Sequence, residues 1–121
     1  MNDCQRFGAF LKNKRNTQEI SIRPMAEKVG ISAGHYCDIE SGRRSPADRD
    51  FLELVIAILN LNDSDKQTLY DLWGKARSAS PPDLTEYINE SQAARIALRV
   101  AKEKASDADW QRFVDELTGK E

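Results

Sequence analysis

The chain has 121 residues, which is enough for one small domain with an appendage and too few for two full-sized domains. A hydrophobic content of 40% and a charged content of 31% are ordinary for a soluble globular protein, and the absence of a long apolar run excludes a membrane span. A net charge of −2 argues against a general nucleic-acid coat protein, which needs a large positive charge.

The first predicted helix runs from Cys4 to about Arg15. Phe7, Phe10 and Leu11 recur on one side of it at helical spacing, so this side should face the core. The polar residues 16–19 then interrupt the helix before the chain returns to the core.

Two short helices joined by a tight turn are predicted over residues 22–42, an arrangement known as a helix-turn-helix. Ser21 should cap the first helix, and Gly30 should end it in a left-handed conformation. Ser32 should cap the second helix, and Gly42 should end it.

The second helix of this motif has two different sides. On a wheel of about 100° per residue, Tyr36 and Ile39 share the side that should be buried. The opposite side is small and polar, which suits a surface that meets a ligand or partner; it contains Ala33, Gly34, Cys37, Asp38 and Ser41.

Two further helices complete the predicted amino-terminal domain. One should open at Ser45, with Pro46 at its first helical position, and end at Asn60. Its predicted core stripe is Phe51, Leu54, Val55, Ile58 and Leu59. The other should be capped near Asn62 and end near Arg77, with Leu69, Leu72, Trp73 and Ala76 facing inward.

A Ser-Ala-Ser-Pro-Pro stretch over residues 78–82 has the composition of a linker. We therefore predict a domain over residues 4–78 and a helical carboxy-terminal extension over residues 79–121. The extension should contain a short helix, a longer one over about 91–104, and a last one capped by Ser106. No segment alternates as a strand would, so the predicted fold is all-α.

The last helix carries a broad apolar face. Its residues are Trp110, Phe113, Val114 and Leu117. A segment of about forty residues has little core of its own in which to bury such a face. We predict that it packs on a second copy of the chain; packing on the amino-terminal domain is the alternative.

Catalysis, metals and cofactors are not expected. The only histidine, His35, has no nucleophile with a third orienting group, and no glycine-rich phosphate loop is present. Cys4 and Cys37 lack the second pair that a zinc site requires and should be free thiols. The amino terminus has no apolar signal core, so we expect a cytoplasmic protein.

The two halves of the chain differ in charge. Residues 1–50 carry nine Lys and Arg against seven Asp and Glu, whereas residues 51–121 carry nine against thirteen. The half that holds the helix-turn-helix is therefore the positive one, which favours an anionic partner such as DNA.

Two sequence runs resemble the Cro/Xre family of phage-repressor DNA-binding domains. They are Val-Gly-Ile-Ser at 29–32 and Ile-Glu-Ser-Gly-Arg-Arg at 39–44, followed by Pro46. The resemblance extends roughly from residue 5 to residue 61. It implies a five-helix, lambda-repressor-like domain whose second motif helix lies in the major groove of duplex DNA.

The resemblance also implies roles for individual residues. Those placed at the DNA are Arg23, Ser32, Ala33, Gly34, His35, Cys37, Asp38, Ser41, Arg43 and Arg44, with the arginines on phosphates. In this family an arginine at the end of the first helix pairs with a glutamate late in the recognition helix, which here implies an ion pair between Arg15 and Glu40. Two separate solvated charges are the alternative.

The recognition surface departs from the family pattern. The glutamine that is frequent at the position of Ile22 is absent, although Arg23 lies beside it, and long amides are absent at Ala33 and Gly34. Small residues there suit a thymine methyl or a closer helix approach, and Asp38 suits the cytosine amino group. DNA shape should then carry more of the specificity.

These features predict a sequence-specific regulator of transcription that binds double-stranded DNA. We expect a repressor that binds a pseudo-palindromic operator as a homodimer. The alternative from another class is a protein-interaction module, antitoxin-like or an adaptor, whose carboxy-terminal helices bind a partner protein.

Overall fold

The computed structural model describes residues 1–46 and 48–120, and this part of the chain contains helices and no strand, as predicted. The helices are α1 (Asp3–Thr17), α2 (Ile22–Val29), α3 (Ala33–Ser41), α4 (Arg49–Leu59), α5 (Asp63–Ala76), α6 (Pro82–Glu90), α7 (Gln92–Lys104) and α8 (Asp107–Thr118). They form two compact units, Met1–Leu84 and Thr85–Glu121. None of the described helices combines the length and apolarity that crossing a bilayer requires.

The first unit is built around one apolar core. Helix α1 packs on α3 and α5, while α2 packs on α3 and α4. The core residues are Phe7, Leu11, Met25, Ala26, Val29, Tyr36, Ile39, Phe51, Leu52, Val55, Leu59, Leu61 and Leu69. Each large apolar side chain among them contributes about 1.5–3 kcal/mol through its burial, so the core fixes the direction in which α3 faces.

The ends of the two motif helices lie where the sequence places them. Gly30 and Gly42 both adopt a φ of +79°, which side chains other than glycine rarely tolerate. The Ser32 hydroxyl accepts a hydrogen bond from the backbone N–H of His35 at 3.1 Å. Ser21 occupies the cap position of α2, but its side chain makes no capping hydrogen bond.

A glycine in α1 allows α3 to approach closely. A Cβ atom at Gly8 would overlap the backbone carbonyl of Glu40 and lie 2.6 Å from that of Ile39. Any side chain at this position would therefore push the recognition helix away from the core.

The start and the buried side of α4 differ from the prediction. The helix begins at Arg49, where the Asp48 carboxylate accepts a 3.1 Å hydrogen bond from the backbone of Phe51. Pro46 is instead buried, and its carbonyl accepts a hydrogen bond from Arg77. Leu52 occupies the core and Leu54 is exposed, because the apolar residues of α4 cover more than half of its circumference and their spacing alone does not set the limits of the buried side.

Residues 79–82 lie within the first unit. A Cβ atom at Gly74 would lie 2.8 Å from the carbonyl of Ala79, so this segment runs directly over α5. Pro82 is buried and begins α6. The first unit thus extends past the predicted boundary at residue 78 and ends at Leu84.

The second unit has no buried core within the residues described from 85 to 120. Its helices begin at well-formed caps: Ser91 caps α7, and Ser106 forms the predicted capping box with Asp109. The predicted apolar face of α8 is exposed, and Leu117 retains 72% of its accessible surface. The chain alone therefore leaves this face uncovered.

Candidate nucleic-acid interface

A buried ion pair fixes the recognition helix to α1. The Arg15 guanidinium donates to both Glu40 carboxylate oxygens, at 2.7 and 3.0 Å, and a third N–H donates to the carbonyl of Ile20 at 2.8 Å. Both side chains are at least 93% buried, and the hydrogen bond to Glu40 raises the pKa of Arg15. The two charged groups that the resemblance predicts to pair are therefore in bidentate contact. These two hydrogen bonds fix the orientation of α3 as well as its attachment to α1.

The hydroxyl of Tyr36 lies in the same buried region. It has no hydrogen-bond partner within the described part of the chain. Burial raises the pKa of this hydroxyl, and the neighbouring Glu40 carboxylate raises it further. Tyr36 therefore stays neutral in the folded protein.

This pKa shift predicts a loss of stability in alkali. Above pH 10, the ordinary pKa of tyrosine, the unfolded chain releases a proton that folded Tyr36 retains. The free energy of unfolding should then fall by about 1.4 kcal/mol per pH unit from this group alone. Urea unfolding of the natural chain and of Tyr36→Phe between pH 8.5 and 11 measures the difference. Parallel pH profiles would contradict the predicted contribution.

The side of α3 opposite this anchor faces away from the core. Gly34 and Ser41 are exposed, whereas Ala33, Cys37 and Asp38 are half-buried. His35 is half-buried near the start of the helix, after the exposed Ser32. Ala33 packs against the edge of the core, so the outer surface of α3 is formed by the other predicted reading residues. Among these, only His35 and Asp38 have side chains longer than that of cysteine.

Asp38 is joined to the arginine that follows the helix. Its carboxylate accepts a hydrogen bond from the Arg43 Nε at 3.2 Å, and its backbone carbonyl accepts from the backbone N–H groups of Arg43 and Arg44. The sequence assigned Asp38 and Arg43 to separate tasks. The structure shows them as one charge pair, in which Arg43 offsets the negative charge that Asp38 carries on α3.

Two other predicted phosphate contacts are free in the described structure. Arg23, in the first turn of α2, and Arg44, after α3, are exposed and form no ion pair with a described residue. Each can extend to an anion without breaking an existing interaction.

A concavity of about 180 Å³ opens between the end of α1, the start of α2 and the end of α3. It is lined by Lys12, Arg15, Ile22, Cys37, Glu40, Ser41 and Arg43. Because Glu40 neutralises Arg15 and Asp38 pairs with Arg43, the unbalanced positive charge at this concavity comes from Lys12. Sequence reasoning missed Lys12, whose exposed position on α1 gives no sign of its proximity to the motif.

The described residues contain no cluster of His, Cys, Asp and Glu that could hold a metal ion. Cys4 and Cys37 are both free thiols. Cys4 lies against the carbonyl of Ala76, while Cys37 lines the concavity beside the recognition surface.

Comparisons with known proteins agree with this geometry. Residues 6–69 match the family described as helix-turn-helix domain. The chain is also 35% identical over 63 residues to the "ImmF control region 10 kDa protein" of Bacillus phage phi105, an alignment that covers 51% of this chain and 70% of the relative. No solved structure matches.

The matched region contains α1 from Arg6 onward, all of α2 to α4 and half of α5, and therefore the motif helices, the buried ion pair and the concavity. It includes both sequence runs on which the Cro/Xre resemblance was based. The chain belongs to the helix-turn-helix domain family, in its Cro/Xre-like form, and is a DNA-binding regulator.

Proposed function

We propose that this protein is a repressor that binds a pseudo-palindromic operator in double-stranded DNA as a homodimer. The observation that carries the proposal is the outer surface of α3, which is small and polar and is followed directly by the exposed cations Arg43 and Arg44, with a further exposed cation, Arg23, in the first turn of α2. Such a helix fits the major groove, with the flanking arginines on the backbone. The name of the phage relative, which refers to a control region, supports a regulatory role. The protein then acts in the cytoplasm and is not an enzyme.

The base contacts in this proposal come from the start and the middle of α3. Ser32, Ala33 and Gly34 would lie nearest the base edges, with Cys37 and Asp38 one turn further along. His35 and Ser41 would lie at the edges of this surface. The small residues favour close helix approach and contact with thymine methyl groups, and Asp38 can accept from a cytosine amino group.

The concavity at the end of α3 suits a backbone phosphate. Lys12, which forms no ion pair with a described residue, and Arg43 both line it, and Ser41 supplies a hydroxyl. We therefore add Lys12 to the proposed phosphate contacts. Its position on α1 would allow the first helix, as well as the motif, to bind the DNA backbone.

The homodimer is proposed from the second unit. One small helix-turn-helix domain buries little surface on DNA, and a second copy supplies a second half-site about 34 Å away. The residues proposed to form the dimer are Trp110, Phe113, Val114 and Leu117, all on one side of α8 and all exposed in the single chain. Covering them with a second chain would remove this apolar surface from water.

A gel-shift titration tests the proposal. The protein should bind a duplex from the region beside its own gene at least 1,000-fold more tightly than a shuffled duplex of the same length, which is the lower range for specific DNA binding. Equal affinity for both duplexes at physiological salt would contradict operator recognition.

A protein-interaction module remains the second candidate, because the exposed face of α8 also fits an apolar surface on another protein. In an antitoxin-like or adaptor protein, this face would bind a partner and the chain would stay monomeric alone. A monomeric chain that binds no duplex specifically would favour this candidate.

Removing the flanking arginines should weaken binding to every duplex. Arg44→Ala should lower the slope of log affinity against log salt by about one. Arg43→Ala should lower affinity further, because it also leaves Asp38 without its partner. Fluorescence anisotropy at several salt concentrations measures both, and Lys120→Ala, outside the motif, controls for net charge. An unchanged slope in Arg44→Ala would remove Arg44 from the phosphate contacts.

Replacing Asp38 should strengthen DNA binding, whereas replacing the flanking arginines should weaken it. Asp38→Asn removes a negative charge from the proposed groove surface and releases Arg43, so binding should tighten by about fivefold at low salt. The preferred base opposite this position should also change, because asparagine favours adenine where aspartate favours cytosine. Selection from a randomised duplex pool measures the preference. The same preference in both proteins would show that Asp38 does not contact bases.

A further inference from the structure

The charges of the second unit are divided between its last two helices. Helix α7 contains four basic residues and one acidic residue, a net charge of +3. Helix α8 contains four acidic residues and one basic residue, a net charge of −3. Each helix is therefore complementary in charge to the other and repelled by a second copy of itself.

The exposed apolar sides of the two helices also differ in shape. On α7, Ile96 and Val100 are each more than half exposed, and Ala93 and Ala97 lie beside them on the helical wheel. This side is therefore a shallow surface with small residues. The exposed side of α8 instead carries bulky residues, including Trp110 and Phe113, whose rings contact each other edge to face.

Within one chain, the apolar sides of α7 and α8 do not pack against each other. Only Ala105 and Ser106 separate α7 from α8, and the two helices do not pack along each other as α1 and α3 do. Their apolar sides accordingly remain exposed in the described structure. A second copy of the chain carries a matching surface for each of them.

We propose that in the homodimer α7 of each copy packs against α8 of the other, so that the two-fold axis generates two identical α7–α8 contacts. This inference rests on the proposed homodimer and specifies its interface. The bulky residues of α8 would lie over the alanines of α7. Arg99, at the edge of the α7 surface of one copy, would then lie near Glu116, at the edge of the α8 surface of the other copy. Pairing α8 with α8 would instead place two helices of charge −3 face to face, which opposes association.

Reversing one flanking charge tests the pairing. Glu116 lies next to Phe113 on the wheel of α8, and Arg99 lies next to Ile96 on that of α7. Glu116→Lys should weaken the dimer of the full chain by about tenfold, because the reversed contact occurs twice. Arg99→Glu should weaken it similarly, and the double variant should recover most of the loss.

Equilibrium sedimentation at 50 and 500 mM salt gives the dimer dissociation constant of each variant. Asp115→Lys makes the same charge change on the opposite side of α8 and should alter the constant by less than about twofold. Circular dichroism confirms that the variants keep their helices. For the natural chain, the α7–α8 pairing predicts weaker dimers at high salt.

The outcomes separate the pairing from the dimer itself. A natural chain that stays monomeric at tens of micromolar overturns both the homodimer and the pairing. If Glu116→Lys tightens the dimer or leaves it unchanged, or if added salt tightens it, only the α7–α8 pairing is overturned. Such a result supports contact between two α8 helices. Tenfold weaker dimers in both single variants with recovery in the double variant support the proposal.

Discussion

Replacing either Arg15 or Glu40 alone with methionine is expected to lower the free energy of unfolding by about 3–5 kcal/mol. Either change leaves an unpaired charge in a site where both side chains are at least 93% buried, and such a charge is costly to keep from water. The loss of Arg15 also removes a donor from the carbonyl of Ile20. Urea unfolding followed by circular dichroism measures the change.

Replacing both residues together is expected to recover much of this loss. Two apolar side chains of suitable volume remove both charges, so neither is left unpaired. The exposed ion pair of Arg49 with Glu53 provides the control, because Arg49→Met should cost less than about 1 kcal/mol. Single variants as stable as the natural chain would show that the Arg15–Glu40 pair contributes no net stability.

Partial recovery has a functional consequence. The ion pair fixes the orientation of α3, whereas two methionines pack without a preferred direction. We therefore expect the double variant to fold but to bind its operator less tightly than the natural chain. Stability and DNA affinity measured on the same preparation separate these two roles.

A chain that ends at Leu84 is expected to fold, to remain monomeric and to bind its operator about 100-fold or more weakly. It keeps every residue of the first compact unit, including the buried Pro82, and loses the exposed apolar face of α8. Its affinity should fall because one half-site must then be bound without the second. Sedimentation and anisotropy on both chains measure the change.

A full-length variant controls for the shorter chain. Phe113→Ser with Leu117→Ser keeps the length and removes two large apolar residues from the proposed dimer face. It should reproduce the monomeric state and most of the affinity loss. A chain ending at Leu84 that still dimerises would move the interface to the first unit.

The sequence alone determined the motif and its limits. Gly30 and Gly42 end α2 and α3 in left-handed conformations, and Ser32 caps α3, because each choice depends on the geometry of one or two neighbouring residues. The buried side of α3 was equally clear, since Tyr36 and Ile39 are the large apolar residues of a short helix that is otherwise small and polar.

Only the tertiary structure decided which side of α4 is buried and where α4 begins. Its apolar residues cover more than half of its circumference, so the choice of Leu52 over Leu54 depends on the helices that surround it. The Asp48 side chain, rather than Ser45 with Pro46, supplies the cap, and Pro46 lies buried with its carbonyl bound to Arg77 across a sequence separation of 31 residues. Helical periodicity contains no information on such distant contacts.

The charge arrangement of the interface likewise required the folded chain. The sequence contains Lys12, Asp38 and Arg43 as three separate charges, and it gave Asp38 and Arg43 independent roles. Folding brings Arg43 to the Asp38 carboxylate and places Lys12 at the same concavity as Arg43. The direction of the side chains and the packing of α1 on α3 set how close these three charges lie. The sequence therefore determined which residues form the motif, and the tertiary structure determined which charges act together.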